Sequence, residues 1–162
     1  MHRTKRSFYN PKKYFQGLSK TRKAARKKEI ARFGAYNWGD PKAYAGFKTD
    51  VGIKTKRSNY TKQWQTLFPK AKSLKAKAVA TGVPLFAIKQ SYNRGMAAWR
   101  TGHRPGATQQ QWGYARVHSF LLCGKTHYST DADLVRKATA KSVSARKWWL
   151  HQCSATRRQS RK

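Results

Sequence analysis

The side chains with the widest chemical repertoire in this sequence are its five histidines and two cysteines. His118, Cys123 and His127 fall in one stretch, with His103 upstream and His151 and Cys153 downstream. Imidazoles and thiolates gathered in this way invite a zinc site, or a cysteine nucleophile served by a histidine base. The spacing speaks against both. No pair stands in the CxxC or HxxxH register that presents two ligands to one metal. Cys123 and His127 are separated by Gly124 in no recognised nucleophile–base arrangement. Acid–base and metal chemistry also draws on carboxylates, and residues 51–130 contain none. Asp131, or Thr130, reads as a helix cap. There is no P-loop, dinucleotide fingerprint or nucleophile elbow. The sequence therefore predicts no catalytic residue, no metal, no cofactor and no small-molecule substrate, which is the profile of a non-enzyme.

The remaining chemistry is charge. Thirty-seven Lys and Arg face five Asp and Glu, a formal net charge of +32 over 162 residues. Such an excess repels itself unless anions screen it, whereas each phosphate neutralised on a nucleic acid releases counterions and adds affinity. The candidate polyanion-binding residues are spread along the chain. Lys12 and Lys13 lie in the N-terminal stretch, and Arg22, Lys23, Arg26, Lys27 and Lys28 in the helix after it. Lys89 is central, and Arg157 and Arg158 are near the C-terminus. The chain is also 13% aromatic, with six Trp, so it is not merely a basic tail. The N-terminal aromatics Phe8, Tyr9, Tyr14 and Phe15 suit either stacking on unpaired bases or anchoring in neighbouring subunits. Their paired spacing favours anchoring. Two cysteines without a close motif predict a reducing compartment and no disulfide framework. No apolar run is long enough to span a membrane, and no apolar segment follows the basic N-terminus as in a secretory signal.

Helices must position these groups. Residues 1–17, punctuated by Pro11 and Gly17, read as an extended basic and aromatic arm. Residues 18–57 read as a basic helix (Leu18–Phe33) followed by a loop rich in Gly, Asn and Tyr. Residues 58–153 form the expected helical core, and 154–162 a basic tail. Ser58 opens a helix that Pro69 ends, and Ser73 opens another that Gly82 closes in the left-handed conformation. From Pro84, the residues Leu85, Ile88, Tyr92, Met96 and Trp99 recur on one helical face, the clearest core stripe. Gly95 allows close backbone approach there. Thr108 caps a helix to about Leu122, and a last helix runs from Ser142 to about His151 with Trp148 and Trp149 as anchors. The fold class is mainly α, a small helical domain with an embedded helix-turn-helix-like pair and extended basic arms. In that pair, Ala78, Gly82, Val83 and Ile88 set the crossing, and Lys89, Gln90, Asn93 and Arg94 point outward.

The stretch YNRGMAAWRTGHRPGATQQQWGYARVHSFLLCGKTHYSTDAD, from Tyr92 to Asp133, carries a resemblance, joined by TDVGIKTKRSNYT (Thr49–Thr61) and ATGVP (Ala80–Pro84). It resembles a family of small basic proteins of unassigned function encoded by large DNA viruses of algae and by some marine bacteriophages. The resemblance implies a central unit of Arg94, Trp99, Gly102, His103, Arg104, Pro105, Gly106, Trp112, Arg116 and Phe120. In it, Trp99, Trp112 and Phe120 would join the core of two helices meeting across the HRPGA turn, alongside Tyr92 and Ile88. Arg94, Arg100, His103, Arg104 and Arg116 would ring the turn. Two readings of that ring stand open: a phosphate-binding cluster at a helix N-terminus, or Arg104 and Arg116 holding the turn through hydrogen bonds to helix-end carbonyls.

A viral setting makes the charge intelligible. The expected role is a virion structural protein, a minor capsid or internal component on the inner side of the shell. Its expected partners are capsid proteins and nucleic acid, chiefly double-stranded DNA bound without sequence preference. The alternative is a helix-turn-helix protein that compacts or regulates viral DNA.

Overall fold

A computed structural model describes residues 10–161 of the chain; the earlier part of the expected arm lies outside the described residues. Helix dominates, and no β-strand occurs among the described residues, in line with the mainly α expectation. The chain forms two compact units and visits the first one twice. The first comprises residues up to 55 together with 100–107, and the second residues 56–99 together with 108 onward. The HRPGA turn thus belongs with the N-terminal region, which corrects the expected continuous core over 58–153.

The first unit is built on helix α1 (Lys20–Gly34), whose N-terminus is capped by the Ser19 hydroxyl accepting from the Arg22 amide at 3.3 Å. Lys20, Lys23, Lys27, Lys28 and Arg32 are exposed on it, while Arg26, Ile30 and Phe33 are buried. Phe33 stacks on Phe47 with ring centroids 4.7 Å apart. Short 3-10 turns at Lys12–Phe15, Pro41–Tyr44 and Lys48–Asp50 complete the unit. Residues 10–17 are accordingly not an extended arm. Their turn sets the Tyr14 ring so close to Gly102 that a side chain there would strike it. Gly102 also has φ +141°, so both its space and its backbone require glycine.

The second unit contains α2 (Asn59–Leu67), α3 (Leu74–Thr81), α4 (Leu85–Trp99), α5 (Gln109–Leu121), α6 (Lys125–Tyr128), α7 (Ala132–Lys141) and α8 (Val143–Gln159). Local chemistry explains most of the boundaries. Ser73 and Ser142 accept from the amides of Ala76 and Ala145, and Thr108 forms a capping box with Gln111. Ser58 occupies the cap position of α2 but its side chain makes no cap bond. Helices α4 and α5 cross where two glycines meet. A methyl on Gly95 would lie 2.8 Å from the Gly113 Cα, so close contact at this crossing excludes any larger residue.

The apolar core of this unit gathers Trp64, Ile88, Val117, Phe120, Leu134 and Trp149. Ile88 and Phe120 meet the expectation with no exposed surface, and Tyr92 packs on the margin. Trp99 is buried but outside this cluster, and Trp112 is only half-buried and also outside it. Trp64 and Trp149 fill the place expected for them. The expected C-terminal tail is also corrected: α8 continues to Gln159, so Arg157 and Arg158 ride its last turns, both exposed.

Candidate nucleic-acid interface

Five carboxylates among thirty-seven cations are scarce enough that each one's position is informative. All five are engaged inside the protein. The Asp40 carboxylate caps the Pro41–Tyr44 turn through the Lys42 amide at 2.9 Å. Glu29 accepts from the amides of Lys48 and Thr49 and from the Thr49 hydroxyl. The other three organise ion networks, one in each unit.

In the first unit the centre is Asp50. It accepts from Arg26 Nη1 at 2.6 Å, from the Gly106 amide at 3.0 Å, and faces His103 Nε2 at 2.7 Å. Arg26 also donates to Thr49 Oγ1 and to the His103 carbonyl, and its guanidinium lies over the Phe47 ring. Burial pushes the Asp50 carboxyl up, but the bonds from His103, Gly106 and Arg26 outweigh it and hold the group below its usual value. Nearby, Arg100 Nη1 donates to the carbonyls of Phe33, Gly34 and Tyr36 at the end of α1, the nearest at 2.7 Å. That arrangement complements the exposed carbonyls of a helix C-terminus.

In the second unit the centre is Asp131, which is fully buried. It accepts from Ser91 Oγ at 2.7 Å, from Arg116 through Nε at 3.0 Å and Nη2 at 2.7 Å, and from Arg94 Nη1 at 3.1 Å. Arg94 also grips Asp133 in a fork, with both bonds at 2.8 Å. This pairing holds Asp133 well below the usual carboxylate range. The helix-cap role expected of Asp131 is absent, since its side chain makes no cap bond to α7.

The candidate phosphate-binding ring is thereby divided. Arg94 and Arg116 belong to the Asp131 network and His103 to the Asp50 network, where it meets Arg26 from outside the ring; neither His103 nor Arg26 has any exposed surface. Arg22 donates to the Val51 carbonyl at 2.8 Å, and Arg104 is half-buried. At the end of α1 the carbonyl bonds are made by Arg100, and among the described residues no such bond is made by Arg104 or Arg116, the residues of that reading. The other named cations face solvent: Lys12, Lys13, Lys23, Lys27 and Lys28 on the first unit, Lys89, Arg157 and Arg158 on the second. The first unit also carries a groove of about 580 Å³, where Arg32, Lys42 and Lys48 line one space with Phe33 and Tyr36.

One cation was not legible as special. Lys77 in α3 is 2% exposed, with its ammonium 5.3 Å from the Trp64 ring centroid and 5.2 Å from that of Tyr114. It donates to the carbonyls of Ala71 and Lys72 at 2.8 and 2.7 Å. His118 stacks on Trp64 beside it, and burial together with the Lys77 charge pushes that imidazole down to about 3. Burial pulls Lys77 down to about 8, whereas an unfolded lysine keeps its proton to ~10.4. Between those values the unfolded chain binds more protons, so stability rises with pH from about 8 to 10, by up to ~3 kcal/mol. Above pH ~10 the half-buried phenols of Tyr14 and Tyr92, both raised by partial burial, pull the other way. Urea midpoints measured from pH 7 to 10 are expected to climb in the native protein and to stay level in Lys77→Met; a climb that persists in the variant refutes this assignment.

The two cysteines correct the sequence expectation outright. Cys123, just past α5, and Cys153 on α8 are joined in a disulfide, with Cα atoms 5.3 Å apart across thirty residues of chain. Their pairing depends on the packing of distant helices and leaves no local trace in the sequence.

Residues 11–137 match a family of unknown function, DUF5824. No curated protein and no solved structure matches the chain. The matched region takes in both Asp50 and Asp131 and ends within α7, short of α8. No helix among the described residues is long and apolar enough to cross a membrane.

Proposed function

Because the chain belongs to the DUF5824 family, whose function is unknown, we propose its role from its surface: it binds nucleic acid electrostatically, as a minor capsid or internal component of a virus particle. The observation that carries this reading is the fate of the carboxylates. All five are committed to internal bonds, so the large cationic excess finds its counter-charge outside the chain. Phosphates on a nucleic acid supply that charge at high density, with counterion release as the driving force. The exposed lysines of α1 lie along one helix and so offer the most regular line of positive charge. The viral setting rests on the resemblance of the Tyr92–Asp133 stretch, in which small basic proteins accompany packaged DNA or line the inner shell.

The experiment is duplex binding by the purified protein over a range of salt, with random and genomic fragments compared. A steep fall of affinity with salt and no preferred fragment are expected. Replacing Lys23, Lys27 and Lys28 by Gln is expected to lower the slope by roughly 0.9 for each phosphate that is no longer neutralised. An unchanged slope removes α1 from the interface, and absence of any salt-dependent binding sinks the proposal. Fixed stoichiometry to the major capsid protein in purified particles is the matching test of the structural role.

A second reading draws on α3, the left-handed Gly82 at φ +71°, and α4, on which Lys89, Gln90 and Asn93 are exposed. In this reading they would act as a helix-turn-helix-like pair, with the second helix offering side chains suited to base edges. A specific fragment that survives high salt, with preference relaxed by Asn93→Ala, would favour it.

A further inference from the structure

The Cys123–Cys153 disulfide has a third neighbour that a disulfide does not require. The Sγ atoms of Cys123 and Cys153 and a ring nitrogen of His127 all lie within 4.8 Å of one another. His127 Nδ1 is 3.2 Å from the Phe120 carbonyl oxygen. A carbonyl only accepts, so Nδ1 carries the proton and Nε2 keeps its lone pair. That lone-pair nitrogen faces Cys153 Sγ at 3.7 Å. An imidazole whose far nitrogen is tied to a backbone carbonyl, with its free nitrogen turned to sulfur, is oriented as metal-ligating histidines are.

The distances agree with one ion. Around a tetrahedral zinc, with bonds near 2.3 Å to sulfur and 2.0–2.1 Å to nitrogen, a sulfur and a nitrogen ligand stand about 3.6 Å apart and two sulfurs about 3.8 Å. The His127–Cys153 separation, 3.7 Å, is already within about 0.1 Å of that distance. The two sulfurs need only part from their bond, and Cα atoms 5.3 Å apart leave room for side-chain rotation to do so. Cys123 and His127 are buried, and the Trp149 and Tyr128 rings edge onto the His127 imidazole. Cys153 is only half-buried, so a fourth position opens toward water.

We propose that, once the disulfide is reduced, Cys123, His127 and Cys153 form a Cys2His site for a single zinc-like divalent ion. A phosphine breaks the S–S bond and is oxidised to its oxide with the oxygen of water, whose two hydrogens go to the sulfurs; a dithiol instead gives up its two hydrogens and closes to a disulfide, and either route leaves two thiols. The metal then displaces their two protons, and the two thiolates offset its charge. The end of α5 is thus fastened to α8 by a covalent bond in an oxidising medium and by a metal in a reducing one. This inference stands apart from the nucleic-acid reading, since it involves none of the exposed cations.

The test uses the full chain, reduced with a phosphine under exclusion of oxygen and titrated with Co²⁺ as a spectroscopic probe. One Co²⁺ per chain is expected, with thiolate-to-metal charge transfer, the strong visible bands of a tetrahedral site, and displacement by Zn²⁺. Cys123→Ser and Cys153→Ser should each weaken the charge-transfer band. His127→Gln should weaken binding by about 100-fold or more, beyond the effect of losing a mere supporting neighbour. The oxidised chain should take up no cobalt at this site. Absence of the sulfur-to-metal band in the reduced native protein overturns the proposal, whether or not the variants fold. So does native affinity in His127→Gln, or equal uptake by the oxidised chain.

Discussion

Replacing Asp131 by alanine is expected to destabilise the second unit by about 3–5 kcal/mol, the scale on which a buried ion pair fails when one partner is removed. The carboxylate has no exposed surface and serves Ser91, Arg94 and Arg116 at once. Arg94 survives its loss because Asp133 still holds it in a two-bond fork. Arg116 has no such reserve: both of its bonds to an acid go to Asp131, and its side chain is 17% exposed. Most of the loss therefore belongs to the stranded Arg116 guanidinium. The double variant Asp131→Ala/Arg116→Met should regain a large part of it, because replacing both partners removes the buried charge along with its mate. Urea denaturation of the two variants measures this directly. A single variant within ~1 kcal/mol of the native protein would mean that water reaches Arg116 more freely than its burial indicates.

This network marks the boundary of what the sequence discloses. Helix ends were legible because capping is local chemistry: Ser73, Thr108 and Ser142 each bond an amide three residues on. Of the stripe expected from Leu85, only Ile88 and Trp99 are buried; Leu85, Tyr92 and Met96 are half-buried, and Ala87, Ser91 and Gly95 complete the buried face instead. What the sequence does not show is which cations turn inward. Arg26 stands four residues before Ile30 and seven before Phe33, on the buried stripe of α1. Its charge reads as a solvent face, while its spacing reads as core. The spacing prevails because Asp50 arrives from another turn to neutralise it. Asp131 was similarly obscured, since an acid just before a helix reads first as a cap. With so few acids, Asp131 was better read as a buried partner awaiting its arginine. Pairings across the fold, Cys123 with Cys153 or residues 100–107 with the first unit, leave no periodic signal at all.

The same contrast yields the sharpest test of the surface reading. Arg26→Ala is expected to destabilise the first unit by about 3–5 kcal/mol. The guanidinium donates to Asp50 at 2.6 Å, to Thr49 Oγ1 at 2.9 Å and to the His103 carbonyl at 2.6 Å. It also covers the Phe47 ring at 4.9 Å. Lysine should not rescue the loss, because a single ammonium cannot reproduce a planar fork that reaches two acceptor groups on one side and a carbonyl on the other. Changing the exposed Lys23, Lys27 or Lys28 to Gln should each stay within ~0.5 kcal/mol. Those changes should appear instead in the salt slope of DNA binding. The two readouts, urea midpoint and salt slope, should therefore separate neighbouring cations of one helix completely. If Arg26→Ala folded normally and lowered the slope as the lysine variants do, α1 would present Arg26 to phosphate. The Asp50 network would then be an arrangement that the protein gives up when nucleic acid binds.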